Sequence, residues 1–257
     1  MKKLLTIALV LITATFMATS CKKKAATTEN TFIMGLDDKF PPMGYRDANN
    51  EIVGFDIDLA REVTKRLGMK LEIQPIDWGS KELELNTGKI TAIWNGLSVS
   101  PERANAMALS NPYLTNRMVI IVKKDSTIAG KADLAGKKVG LQTGSTAVAA
   151  LEKDPISKEV EQITYEDNNL ALQDLAIGRV EAVVIDEVVG RYNDLQKPDT
   201  YKILTDNFTE EFYAIGFKKE NTALRDKVNK ILQEMIADGT AAKISQKWFK
   251  EDIIVKK

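Results

Sequence analysis

The stretch Trp94 to Arg103, WNGLSVSPER, puts a guanidinium where a strand hands over to a helix. An apolar run of Ile90, Ala92, Ile93 and Trp94 turns polar at Asn95 and Gly96. It then offers Ser98 and Ser100 ahead of Pro101. Serine suits an N-cap, and proline suits the first helical position because its missing N–H would have had no helical partner. Arg103 therefore falls in the first helical turn, beside exposed backbone donors. A planar guanidinium with such donors around it is suited to grip a carboxylate. Taken alone, the same pattern also describes a surface arginine beside a helix cap.

Three further strand ends carry polar groups. Asp37 ends the run Thr31 to Leu36, Gly144-Ser145-Thr146 follow Gln142, and Asp186 ends Ala182 to Ile185. Open α/β sheets bind ligands at such ends, where loops and helix N-termini converge. Gly144 would let the backbone approach an anion while the first-turn N–H groups point at it. Gly144-Ser145-Thr146 also reads as a plain helix cap, and Asp186 as the N-cap of the helix after it. Phe40 and Trp78 lie in loops near strand ends, where core packing is their default. Together the set suits a cleft between two lobes, holding one small molecule with a negative and a positive group.

The chain has no histidine and one cysteine, Cys21. That removes Ser-His-Asp and Cys-His catalysis and imidazole metal sites, and it excludes an intramolecular disulfide. No cofactor or metal is expected. Lys and Arg number 36 and Asp and Glu 36. A neutral chain argues against nucleic acid as a partner, since counterion release needs a basic surface. Residues 1–20 read as a secretory signal: Lys2 and Lys3, an apolar stretch from Leu4 to Met17, then small residues before Cys21. A lone thiol in that place resembles the lipid-attachment cysteine of a bacterial lipoprotein, although Ala18 stands where a larger aliphatic residue is usual. Residues 22–30, KKKAATTEN, read as a polar linker.

The elements that must position these groups alternate. A helix is predicted over Phe55 to Leu67, with Phe55, Leu59, Val63 and Leu67 on one face and Gly68 stopping it. With strands at Thr31 to Leu36, Leu71 to Ile76 and Ile90 to Trp94 and a short helix at Lys81 to Leu85, the first unit reads β-α-β-α-β. Met118 to Val122, MVIIV, suits a strand buried on both faces. The alternation restarts with strands at Lys138 to Gln142, Val160 to Thr164 and Ala182 to Ile185, and with helices from Gly144 and Leu170. A strand at Phe212 to Phe217 and two C-terminal helices follow. The class is α/β.

Four segments, GFDIDLAREVTKRLG, WNGLSVSPERANAMALSNPYL, VGLQTGSTA and AVVIDEV, resemble in order and spacing the substrate-binding proteins of polar amino acid ABC importers. The resemblance covers about residues 31–250. It implies a two-lobed periplasmic-binding-protein fold of type II, with two α/β lobes joined by two hinge strands. Lobe 1 would hold residues 31–117 plus 213–257, and lobe 2 residues 118–212. The resemblance sets an amino acid's carboxylate on Arg103 and on N–H groups near Ser98 and Thr146. Its ammonium would meet Asp186 and acceptors around Ser98 or Gly96. The side chain would lie against Phe40 and Trp78 with its tip towards Asp37, and Gln142 adds no opposing charge there. Lys39 and Lys81, in nearby loops, are the groups that would offset Asp37. Phe40 stands where relatives often have Tyr, and Asn95 where many have Ser.

The expected activity is capture of a polar, cationic amino acid, arginine favoured over glutamine or another polar amino acid, for an ABC permease. The protein would be a monomeric, lipid-anchored, extracytoplasmic binder and no enzyme. The rivals are a dehydratase-like enzyme on the same fold and an amino acid sensor module.

Overall fold

The structure, a computed structural model, describes residues 30–256. The signal segment, Cys21 and all but the last residue of the linker lie outside the described residues. The first half follows the expected alternation. Strands β1 (Thr31–Leu36), β2 (Lys39–Phe40), β3 (Gly44–Arg46) and β4 (Ile52–Val53) lead into α1 (Phe55–Leu67). The helix buries Phe55, Leu59 and Val63, and stops at Gly68 in the left-handed region, φ 67°. Then come β5 (Lys70–Pro75), α2 (Lys81–Asn86), β6 (Ala92–Ser98), α3 (Pro101–Ala106) and β7 (Ala108–Leu109).

The second half has β8 (Leu114–Lys123), β9 (Lys138–Gln142), α4 (Thr146–Lys153), β10 (Glu161–Tyr165), α5 (Asn168–Ala176), β11 (Ala182–Asp186) and α6 (Glu187–Gln196). It ends with β12 (Tyr201–Phe217), α7 (Thr222–Ala237) and α8 (Thr240–Phe249). Among the described residues the main sheet runs β10-β9-β11-β8-β12-β6-β1-β5, and β2, β3 and β4 form a small separate sheet. β1 pairs in parallel with β5 and β6, and β9 in parallel with β10 and β11. The two parallel triplets are joined through β8 and β12, which run antiparallel to each other. β12 pairs with β6 on one side of the molecule and β8 with β11 on the other.

Both faces of β8 are buried, as a continuous apolar run requires. Met118, Ile120 and Val122 pack with Val139, Leu141, Leu151 and Val184. Val119 and Ile121 point the other way, among Leu172, Val183 and Ile185. In the first half, Phe32, Met34 and Trp94 pack with α1 and with Val228, Ile231 and Met235 of α7.

Two expectations need correction. The strand predicted to end at Trp94 runs on to Ser98, because Leu97 and Ser98 pair with Ala214 and Tyr213 of β12. Its polar residues find partners inside: the Asn95 Oδ1 accepts from the Asp37 N–H, and the Gly96 N–H donates to Asp56. The strand predicted from Phe212 begins at Tyr201, and register shifts near Asn207 break the alternation that would have marked it.

Candidate functional site

Ser100 caps α3 by accepting from the Arg103 N–H, with Pro101 in the first turn. The cap fixes Arg103 where β6 ends. Its guanidinium is buried and donates from Nη1 to the Ser98 carbonyl at 2.8 Å and from Nη2 to the Gly144 carbonyl at 3.1 Å. A guanidinium has five N–H donors, so these bonds leave capacity for an anion. Lys81 converges on the same place. Its Nζ donates to the Gly144 carbonyl at 2.9 Å and to the Trp78 carbonyl at 3.0 Å, and lies 3.3 Å from Glu82. Burial, with the Arg103 charge beside it, pulls the Lys81 ammonium down to about 8. Gly144 needs its left-handed φ of 72°, and a Cβ there would sit 3.2 Å from the Gly79 Cα of the opposite half. Ser145 donates its hydroxyl to the Gln142 carbonyl and makes no side-chain cap, so the N-terminus of α4 keeps its donors open beside the two cations.

The opposite charge gathers at Asp186. This buried carboxylate accepts from Asn116 Nδ2 at 2.7 Å and from the Tyr213 hydroxyl at 2.6 Å. It does not cap α6 through its side chain. Burial, with the Glu211 charge nearby, pushes it up to about 7. Glu211 in turn accepts from the Thr146 hydroxyl at 2.9 Å.

One pocket brings these ends together. Arg103, Asp186, Ser98, Gly96, Ser145, Thr146, Gln142, Phe40 and Trp78 line about 220 Å³ of empty space. Phe40 packs over Gly96, whose φ is 60° and where a Cβ would fall 2.8 Å from the Phe40 ring. Asp37 and Asn95 stand behind this lining. The Asp37 Oδ2 accepts from Gln142 Nε2 at 2.8 Å and its Oδ1 accepts from the Lys39 N–H at 2.9 Å. Burial raises its carboxyl to about 6. Asp37 faces an adjoining hollow with Asp38, Lys39, Asp77, Glu166 and Asp167, and Trp78 borders both spaces. Of the two lysines expected to offset Asp37, only Lys39 stands near it, and its Nζ is 2.9 Å from Asp167.

Asn116, Tyr213, Glu211, Lys81 and Asn168 belong to this site as well. Asn168 donates to the Gln142 Oε1 at 2.9 Å and so orients that amide towards Asp37. Of these five, only Lys81 and Asn116 carried a sequence signal: one a cation at the start of a short predicted helix, the other a polar residue two places before a buried apolar run.

Residues 32–251 match the family described as bacterial extracellular solute-binding proteins, family 3. ABC transporter arginine-binding protein 1 of Escherichia coli K12 is 33% identical over 255 residues, 97% of this chain and 99% of that protein. An uptake transporter substrate-binding protein from Streptococcus pneumoniae, solved with histidine, superposes with a TM-score of 0.86 at 37% identity, covering 89% of this chain and 96% of that one. An ancestral arginine-binding protein solved with arginine gives 0.81 at 39% identity, covering 86% and 98%; with glutamine bound the score is 0.82, covering 86% and 99%. The shared fold is the type II periplasmic-binding-protein fold, and the chain belongs to the bacterial extracellular solute-binding proteins, family 3.

Proposed function

We propose that the protein captures a free amino acid between two lobes outside the cytoplasm and hands it to an ABC permease, without catalysing a reaction. The observation that carries this is the pairing of Arg103 and Asp186. Both are buried, both line one small pocket, and the hydrogen-bond partners of both are neutral groups. Buried charges stay ionised when an opposite charge compensates them. A zwitterion supplies both, its carboxylate on Arg103 and the α4 N-terminus, its ammonium on Asp186.

The lobes are residues 31–117 with 213–257, and residues 118–212, hinged where β8 and β12 cross. The side chain lies in the slot between Phe40 and Trp78. Five carboxylates against one lysine in the hollow beyond Trp78 favour a cationic side chain, arginine first. Glutamine is the second reading, because the Asp37 Oδ2 already accepts from an amide. Residues 1–20 act as the secretory signal and Cys21 as the lipid acceptor of a monomeric, membrane-tethered binder.

The test is a thermal-shift panel of the common amino acids. A ligand at about 100 times its Kd adds roughly 2.7 kcal/mol to the native state, a shift on the order of 5–11 °C for a chain of this size. No shift with any amino acid would overturn the reading. A shift with glutamine and none with arginine would overturn only the preference for arginine.

A further inference from the structure

Strand β12 sends one face into the site. Side chains two apart in a strand point the same way, so Thr209, Glu211 and Tyr213 share that face. The Tyr213 hydroxyl holds Asp186, and Glu211 holds the Thr146 hydroxyl through Oε2 and the Thr209 hydroxyl, at 3.1 Å, through Oε1. Across the ladder Glu211 pairs with Asn116 of β8, and the Asn116 amide is the second donor to Asp186. The Thr146 hydroxyl and the Asp186 carboxylate are thus both tied to one short segment of the strand that joins the two halves.

We infer that Glu211 is a positioning residue for amino acid capture: it orients Thr146 at the carboxylate end and places its own charge beside Asp186 at the ammonium end. The inference rests on the amino-acid-binding reading. Glu211 acts in two separable ways. Its carboxylate oxygen accepts from the Thr146 hydroxyl and so holds that side chain at the opening of α4, beside the first-turn N–H donors that meet the ligand carboxylate. Its charge disfavours a second negative charge on Asp186, after the larger effect of burial. An uncharged Asp186 does not attract an ammonium, so Glu211 makes capture depend on pH. The other charges around Asp186 do not replace it. Arg103, from α3, acts in the opposite sense. Glu187, next in sequence on α6, is engaged by Arg117 and Arg191.

The experiment is calorimetric titration of the full chain with L-arginine, L-histidine, L-glutamine and L-cystine between pH 8 and pH 5.5. In the wild type, affinity falls as pH drops through about 7, by up to about tenfold per pH unit. Glu211→Gln keeps an acceptor for Thr146 and removes the charge, so its fall is displaced to lower pH. Glu211→Ala loses affinity at pH 8 beyond Glu211→Gln, because only the amide still holds Thr146. Glu211→Asp keeps the charge on a shorter arm; it follows the wild-type pH curve with weaker binding at pH 8, and serves if the other variants do not fold. A Glu211→Gln curve superimposed on the wild type, or a Glu211→Asp affinity equal to it at pH 8, overturns the role of Glu211 and leaves amino acid binding standing. A wild type that binds none of the four at any pH overturns both.

Discussion

Gln142, at the end of β9, donates from Nε2 to the Oδ2 of Asp37, just past the end of β1, at 2.8 Å. The bond joins residues 105 positions apart and crosses from one half of the molecule to the other. Arg103 and Lys81 make the same crossing to the Gly144 carbonyl, and Lys39 makes it to Asp167. Each of these bonds opposes separation of the halves, but they differ in exposure. That difference fixes how much each is worth.

Arg103 is the most consequential. Truncating one partner of a buried, hydrogen-bonded charge pair costs about 2–5 kcal/mol of binding. Arg103→Ala is expected to weaken amino acid affinity by roughly 30- to 4,000-fold. Arg103→Lys keeps the charge but not the planar fork, so its loss falls short of the alanine loss and stays well above tenfold. Calorimetry on both variants decides this; unchanged affinity in Arg103→Ala would remove the clamp.

Lys39 represents the weak end. Its side chain is 47% exposed, and its partner Asp167 also caps α5 by accepting from the Leu170 N–H. A half-exposed ion pair contributes about 0.2–1 kcal/mol, so Lys39→Ala is expected to weaken binding by no more than about fivefold. Small-angle scattering should still show the ligand-bound form more compact than the ligand-free one. A loss near that of Arg103→Ala would mean that the rim, not the pocket, holds the halves together.

Asp37, Asp56 and Asp186 bias ligand-free stability in one direction. Burial raises them to about 6, about 7 and about 7. Unfolded aspartates titrate near 3.9, as a rough reference, so between that pH and about 7 the native state binds more protons than the unfolded one. Stability gained by holding those protons is therefore lost as pH rises through the folded values. The urea midpoint of the ligand-free protein should be lower at pH 8 than at pH 5. A bound amino acid, by placing an ammonium on Asp186, should reduce the difference. A midpoint that rises from pH 5 to pH 8 would contradict the burial argument.

The parts legible in the sequence were those set by local rules. Ser100 and Pro101 located the start of α3 and hence Arg103, Gly68 ended α1, and the unbroken MVIIV run gave the buried β8. Polar residues at strand ends pointed to the cleft lining because chain direction alone brings such ends together. The missing parts depended on the third dimension. β6 carries Asn95 and Gly96 in its interior because the Asp37 N–H bonds the Asn95 Oδ1 and the Asp56 carboxylate takes the Gly96 N–H, both from other elements. Glu211 lies just before the strand predicted from Phe212, and Tyr213, inside that strand, meets Asp186 only through the fold. Asn168 matters only because the parallel pairing of β9 and β10 brings the start of α5 beside Gln142.

Selectivity tests the slot itself. If the side chain of the ligand reaches Asp37 with a guanidinium, it meets a carboxylate that already accepts from Gln142, and it must share or displace that amide. A hydrogen bond to a charged group contributes about 1.5–3 kcal/mol, against about 0.5–1.5 for a neutral one. Asp37→Asn should therefore weaken arginine by roughly 10- to 150-fold and glutamine by no more than about tenfold. The pH dependence separates the two further. Because Asp37 is raised to about 6, arginine should lose more affinity than glutamine as pH falls below that value. Both ligands share whatever is lost at Asp186, so the ratio of their affinities isolates Asp37. Competition between arginine and glutamine in the wild type and in Asp37→Asn, at pH 8 and pH 5.5, measures that ratio. If it is the same in both proteins, the tip of the slot lies elsewhere, and Asp37 serves only to hold Gln142 across the cleft.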